Sequence, residues 1–125
     1  MLFRSNKRPK VDPDISFVLD KSDFEWIIKT SNVLGSPNIA VESTGDEVHL
    51  VSFDAGVNSA PINTIVLPNV KSNGNQFKLI FRSEHLRILP KTYLVEISSK
   101  GISKFSDKDG KINYWITLES NSTYV

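Results

Sequence analysis

Residues 22–29 read Ser-Asp-Phe-Glu-Trp-Ile-Ile-Lys, and residues 83–90 read Ser-Glu-His-Leu-Arg-Ile-Leu-Pro. Each stretch opens with a serine and an acidic residue and then spaces its apolar side chains as a helix does. Both stretches follow an apolar run typical of a strand, and several more such runs come after each of them. The two stretches therefore predict a pair of short helices in a chain that is otherwise β-structure.

The first helix is the better defined of the two. Ser22 and Glu25 stand three residues apart, which predicts a capping box at its start, and Gly35 and Pro37 predict its end. Four apolar side chains share one face and should point inward: Phe24, Ile27, Ile28 and Leu34. Four polar side chains fall on the opposite face and should meet solvent: Lys21, Glu25, Lys29 and Asn32. The helix thus presents two cations to its surroundings.

Apolar runs elsewhere predict eight strands: Ile15–Leu19, Ile39–Ser43, Glu47–Phe53, Asn63–Leu67, Phe77–Phe81, Tyr93–Ser98, Ile102–Phe105 and Ile112–Leu118. Gly45 and Asp46 predict a hairpin turn between the second and third strands, and residues 68–75 a polar loop. The second helix, capped by Ser83 with Glu84 favourably placed against its dipole, should stop at Pro90.

The two halves of the chain share one order of elements, namely strand, short helix and three strands. This order predicts an α+β fold of two similar strand-helix-three-strand units, with two short helices packed on one side of antiparallel sheets. Residues 1–14 are polar and basic and contain Pro9 and Pro13, so we interpret them as an interdomain linker or tail. Residues 15–125 form the predicted domain.

Composition limits the class of protein. The chain has 125 residues, 39% of them apolar, which suits one domain. It lacks an apolar run of the roughly 20 residues that a membrane helix needs, so no membrane partner is expected. The absence of cysteine fits a reducing compartment, and we expect a cytoplasmic location, which is the host cytoplasm if the gene is viral.

Charge is distributed unevenly along the chain. The formal net charge is +1, but residues 1–12 hold four basic residues and one acidic residue. The remainder therefore carries 11 basic and 13 acidic residues, a net charge of −2. A mildly acidic body attracts nucleic acid poorly as a whole, so any contact with a polyanion must depend on a few local cations.

The residues that would carry catalysis are missing. His49 and His85 have no histidine, cysteine or carboxylate at a metal-ligand spacing, and Gly74 and Gly110 stand apart from any phosphate-binding loop. The carboxylates are scattered through turns and solvent-facing positions, where no acid and base pair is expected to meet. We therefore expect no enzyme, no metal and no cofactor.

Three segments resemble the C-terminal domain of the DNA sliding clamp, or polymerase processivity factor, of T-even-type bacteriophages. Residues 23–31 resemble that family's first helix, and residues 77–93, with Leu86, Arg87, Leu89, Pro90 and Tyr93, its second helix and the next strand. Residues 113–123, Asn-Tyr-Trp-Ile-Thr-Leu-Glu-Ser-Asn-Ser-Thr, resemble the family's terminal strand and tail and are the most specific match. The resemblance covers roughly residues 15–125.

The resemblance implies a ring, usually a homotrimer of two-domain chains, that encircles double-stranded DNA and tethers the replicative DNA polymerase after a clamp loader has placed it. This chain holds one such domain, so we interpret it as a C-terminal portion preceded by its linker. The family's helices line the hole and meet phosphates without reading bases. The DNA-facing residues expected here are Lys21, Lys29, Asn32, Arg87 and Lys91.

The resemblance also implies two kinds of protein contact. Edge strands should join neighbouring domains through backbone hydrogen bonds, and the candidates are Asn63, Thr64, Ile65, Val66 and Leu67 in one strand and Ile112, Asn113, Tyr114, Trp115 and Ile116 in another. A short apolar peptide of a partner protein should enter a pocket near the linker and the tail, with Val11, Leu118, Tyr124 and Val125 as wall residues.

Two other interpretations of the sequence stay open. The first is an α+β protein-interaction adapter whose helices pack against a partner and which has no DNA role. The second is an enzyme with a site assembled from scattered carboxylates. The four cations among the expected DNA-facing residues could also be ordinary solubilising charges. A clamp differs from an adapter in being retained on circular DNA and lost when the circle is cut.

Overall fold

The computed structural model describes residues 11–45, 47–54, 56, 58–67, 70 and 74–124, and for residues 58–62 it describes the backbone alone. The described residues form an α+β fold, which confirms the predicted class. Their elements are β1 (Ile15–Leu19), α1 (Lys21–Val33), β2 (Asn38–Thr44), β3 (Val48–Asp54), β4 (Asn58–Val66), β5 (Gln76–Arg82), a 3-10 turn (Ser83–Leu86), β6 (Tyr93–Ser98), β7 (Ile102–Asp107), β8 (Asn113–Thr117) and β9 (Thr123–Tyr124). No helix among them is long and apolar enough to cross a membrane.

The strands form two antiparallel sheets. Sheet A has the order β1-β6-β7-β8, and sheet B has the order β4-β3-β2-β5-β9. The first strand of each half joins the sheet of the other half: β1 pairs with β6, where Phe17 lies opposite Val95, and β5 pairs with β2, where Leu79 lies opposite Val41. This reciprocal exchange ties the two halves into one domain, because neither sheet is complete without a strand from the other half.

The core lies between the inner faces of the two sheets and under α1. Alternate residues of β1 are buried, as a strand with one face inward requires. Four aromatic rings cross the core edge to face: Phe24 on α1 lies 5.6 Å from Tyr93, Tyr93 lies 6.0 Å from Phe105, and Phe105 lies 5.8 Å from Phe81 of sheet B. These contacts connect the helix to both sheets.

The start of α1 corrects the predicted capping box. The helix begins at Lys21, and Asp20 is its N-cap, with no hydrogen bond from its side chain. Ser22 therefore lies inside the first turn. The Lys21 N–H donates instead to Thr92 Oγ1 at 3.0 Å, across 71 residues of sequence. A tertiary contact takes the role that local sequence had assigned to Ser22 and Glu25.

The end of α1 follows the prediction at Gly35 but not at Leu34. Gly35 has a φ of 65°, and the Ser36 N–H donates to Ser31 O at 2.8 Å while the Gly35 N–H donates to Asn32 O at 3.3 Å. This is a Schellman motif, which needs a left-handed residue that glycine adopts without strain. Leu34 is the C-cap and is 52% exposed, because the helix ends before it reaches the inward face.

The second predicted helix is a single 3-10 turn at Ser83–Leu86. Arg87 already leaves the helical region, with a φ of −79° and a ψ of 59°. Too few residues separate Ser83 from Pro90 to repay helix nucleation, and Leu86 gains more by entering the core, where it is 4% exposed. The prediction of two short helices is therefore wrong for the second one.

Among the predicted strands, β1 and β6 keep their bounds, and β2, β3, β5, β7 and β8 differ by one or two residues at an end. β4 begins at Asn58, five residues earlier than predicted, with a register shift opposite Ser52 and Asp54. Ile112 lies outside β8 because its N–H and its C=O both bond Asp107 in the turn that precedes the strand. β9 was not predicted. Asp46 of the predicted hairpin turn, and residues 1–10 of the predicted linker, lie outside the described residues.

Candidate nucleic-acid interface

α1 and the segment that follows β5 run side by side in opposite directions. At one end of α1, the Lys21 N–H donates to Thr92 Oγ1. At the other end, Asn32 and Arg87 line the same cleft. The segment from residue 83 to residue 92 therefore follows the helix over its length, although only its first four residues are helical. All five residues predicted to face DNA lie on these two neighbouring elements.

The cations among these five residues differ in their electrostatic surroundings. Lys21 pairs with Glu25 at 3.6 Å on the exposed side of α1, and Lys91 pairs with Asp107 at 3.6 Å. Lys29 and Arg87 are exposed, and neither forms an ion pair with any residue that the structure describes. Two of the four predicted cations thus have no carboxylate partner among the described residues and can pair with an external anion.

Lys91 has a structural contact that the sequence did not indicate. The side chain of its partner Asp107 is buried, and Asp107 Oδ1 accepts a hydrogen bond from the Ile112 N–H at 3.1 Å. That backbone hydrogen bond, followed by the positive charge of Lys91, lowers the pKa of the Asp107 carboxyl. Lys91 therefore helps to hold the turn between β7 and β8, and it is less available to DNA than Lys29.

The cleft beside Asn32 and Arg87 has a volume of about 570 Å³. Its wall holds an arginine that sequence analysis did not select: Arg82 donates from Nε to Glu119 at 2.9 Å and from Nη1 to Glu84 at 3.2 Å. Asp54 lies in the same wall. The cleft is therefore polar and mixed in charge, and its carboxylates balance Arg82.

One buried hydroxyl in the cleft wall stands out. Ser36 is 3% exposed, and its Oγ forms no hydrogen bond with any residue that the structure describes. The nearby Ser31 is also buried, but its Oγ donates to Ile28 O at 2.9 Å. Burial without a partner is unfavourable for a hydroxyl, so the serine at position 36 costs stability that the serine at position 31 does not.

His85 adds no positive charge to this region at neutral pH. Its side chain is half-buried, and burial lowers its pKa from the ordinary value of 6.5, with Glu84 opposing the shift. The imidazole is therefore neutral at pH 7. Among the residues that the structure describes, no group of three or more histidines and carboxylates could hold a metal ion.

The two strands predicted to join neighbouring domains lie at sheet edges. β4 is an edge of sheet B and contains Asn63–Val66, while β8 is an edge of sheet A and contains Asn113–Ile116. Leu67 follows β4 and donates its N–H to Val48 O at 2.9 Å. That these edges join domains remains a prediction.

The described residues predicted to form a peptide pocket make different contacts in the structure. Tyr124 stacks on Phe77 of sheet B with the ring centroids 5.7 Å apart, whereas the Leu118 N–H donates to Gly101 O at the turn between β6 and β7. Val11 is half-buried, and Val125 lies outside the described residues. Leu118 and Tyr124 both pack against the main core, so a pocket there stays a prediction.

Sequence reasoning missed the cleft because its wall comes from four separate parts of the chain. Glu119 and Arg82 are 37 residues apart, and no local pattern links them. The chain matches no protein-family model and no curated protein.

Proposed function

We propose that this chain is a domain of a DNA sliding clamp, which encircles duplex DNA and tethers a replicative DNA polymerase. The proposal depends on one observation. Lys29 and Arg87 lie on two elements that run side by side, and neither has a carboxylate partner among the described residues. The resemblance of residues 15–125 to the clamp of T-even-type phages supplies the function that such a surface would serve.

The chemistry required of this surface is modest. Lys29 and Arg87 would meet phosphates without a competing carboxylate among the described residues, whereas Glu25 lies 3.6 Å from Lys21 and Asp107 lies 3.6 Å from Lys91. Asn32, one turn beyond Lys29, adds a neutral donor at the cleft. Phosphate contacts of this kind carry no base preference and are lost and remade as counterions exchange. Such contacts permit movement along the duplex.

The fold offers two further supports. Each half gives its first strand to the sheet of the other half, which supports the proposal of a domain built from two similar units. β4 and β8 end different sheets, so each presents unpaired backbone groups for a neighbouring domain. We propose that these edges join copies into a ring, which is trimeric by resemblance, and that the polymerase and the clamp loader are its protein partners.

The salt dependence of DNA binding tests the two cations. Each phosphate contact contributes about 0.9 to the slope of log K against log salt, so a K29Q/R87Q variant should bind duplex DNA with a slope smaller by about 1.8. The matched control is K100Q, since exposed Lys100 lies in the turn between β6 and β7, at the end of sheet A away from Thr92. If the double variant keeps the slope of the unmodified chain, the assignment of Lys29 and Arg87 is wrong.

Topology separates the clamp from other DNA-binding proteins. We expect retention of the protein on circular plasmid DNA with a loader and ATP, and its loss when a restriction enzyme cuts the circle. Equal retention on circular and cut DNA would refute encirclement, even if the salt dependence came out as expected.

The second candidate is a protein-interaction adapter with no DNA role. It is favoured by three exposed apolar side chains at or near the exposed face of α1: Trp26 is 42% exposed, Val33 76% and Leu34 52%. Such side chains fit a protein partner better than a phosphate backbone. Under this function, K29Q/R87Q would leave partner binding unchanged, whereas W26A would weaken it.

A further inference from the structure

The C-terminal tail lies along the outer edge of β5. β5 has seven residues and pairs with β2 over its whole length on one side. On its other side, the described part of the tail pairs with β5 through Thr123 opposite Lys78 and Tyr124 opposite Phe77. The tail therefore covers an edge that could accept a longer strand.

The tail departs from a regular strand at Ile80. The Ile80 C=O accepts the Glu119 N–H at 2.7 Å, but the Ile80 N–H donates to the side-chain Oγ of Ser122 at 2.8 Å. In a regular antiparallel pair, a backbone carbonyl would accept that hydrogen bond. The Ser122 N–H bonds Glu119 O at 3.0 Å within the tail, so residues 119–122 form a turn where a ladder could continue.

Two side chains anchor the tail at its ends. Glu119 accepts a hydrogen bond from Arg82 Nε at 2.9 Å. Five residues later, Tyr124 stacks on Phe77, and its hydroxyl accepts a hydrogen bond from Asn75 Nδ2 at 3.1 Å. The outer edge of β5 thus has Arg82 at one end and the Phe77 ring at the other, with the backbone of β5 between them.

The cleft described above continues this surface. Arg82, Glu119 and Asn121 all line it, and the tail runs antiparallel to β5. Residues that precede the carboxylate of a bound peptide would therefore extend past Arg82 into the cleft, which has about 570 Å³ of space and polar walls.

We propose that the outer edge of β5 is an acceptor site for an extended peptide that carries a carboxylate and, five residues later, an aromatic ring. The chain's own tail is its resident occupant and is displaced when such a peptide binds by strand addition. The Ile80 N–H, which donates to Ser122 Oγ in the chain alone, would then donate to a backbone carbonyl of the bound peptide. This inference concerns the tail alone and does not depend on the clamp proposal.

The probe is a fluorescein-labelled peptide with the sequence of residues 117–124, Thr-Leu-Glu-Ser-Asn-Ser-Thr-Tyr. An E119A/Y124A variant of the full chain, whose tail has lost both anchors, should bind the peptide at least ten-fold more tightly than the unmodified chain. Amide shifts in NMR spectra should centre on residues 76–82. A peptide with alanine in place of its glutamate and tyrosine should not bind. Circular dichroism verifies that the variant is folded, and Y124A alone provides a milder second variant.

Three outcomes would overturn the proposal. They are equal affinity of the peptide for the variant and the unmodified chain, no binding to either chain, and amide shifts that lie outside β5. None of these outcomes would bear on DNA binding by Lys29 and Arg87, which lie on elements that the tail does not pair with.

Discussion

Removal of one hydroxyl, that of Tyr93, should both destabilise the fold and change its response to alkaline pH. Tyr93 is completely buried, and its hydroxyl donates to Leu89 O, which links the 83–92 segment to the core. A hydrogen bond of this kind contributes about 1 kcal/mol to stability. Y93F should therefore lower the free energy of unfolding by about 1 kcal/mol, which is about 4 °C in Tm for a chain of this length.

Ionisation of the Tyr93 hydroxyl should also destabilise the fold at high pH. Burial, followed by the charges of Tyr114 and Asp107, raises the pKa of Tyr93 from its ordinary 10.0 to about 12. The neutral form of Tyr93 is favoured in the folded state. Its contribution to the free energy of unfolding is therefore complete below pH 10 and is lost as the pH rises to about 12. The slope should reach at most about 1.4 kcal/mol per pH unit.

Urea denaturation of the unmodified chain and of Y93F between pH 8 and pH 12 measures both effects. The alkaline loss specific to Tyr93 is the difference between the unmodified chain and Y93F, because all other groups titrate in both. If Y93F kept the slope of the unmodified chain, the hydroxyl would not be titrating as a buried group, and the assignment would fail.

Three further predictions concern packing and polar contacts. F24A should destabilise the fold by about 3–5 kcal/mol in urea denaturation because it removes a ring that is 2% exposed. W26A should cost less than F24A, because the Trp26 side chain is 42% exposed. S36A should leave the thermal midpoint unchanged or raise it, because the Ser36 hydroxyl has no hydrogen-bond partner among the described residues. S31A should lower the midpoint, because the Ser31 hydroxyl donates to Ile28 O. Equal shifts of the midpoint in the two variants would contradict this prediction. D107N should lose less stability on acidification than the unmodified chain. The lowered pKa of Asp107 stabilises the fold above about pH 3.8, and this stabilisation disappears as the carboxyl is protonated. An acid titration of both chains, followed by circular dichroism, measures the difference.

Elements whose residues alternate or repeat locally were predictable from the sequence. Eight of the nine strands and α1 lie where apolar periodicity placed them, because a strand or helix with one buried face must carry that period. The end of α1 was also predictable, since Gly35 supplies a conformation that other residues adopt only with strain.

The second helix shows the limit of that reasoning. Residues 83–90 have a helical pattern, yet only one 3-10 turn forms, because burial of Leu86 and Ile88 in the core outweighs local propensity. β9 was missed for a similar reason. Two residues carry no periodicity, and the pairing of Tyr124 with Phe77 depends on a strand that lies 47 residues earlier.

The sequence by itself determined the α+β class, the order of α1 and of eight of the nine strands, and the presence of cations on the exposed side of α1, since these depend on composition and on short-range spacing. Only the tertiary structure decided which cations have a carboxylate neighbour. Lys91 is paired because the turn between β7 and β8 brings Asp107 to it, while Lys29 and Arg87 have no such neighbour among the described residues. Charge pairing depends on distance in space, and distance in space is set by how the two sheets exchange strands.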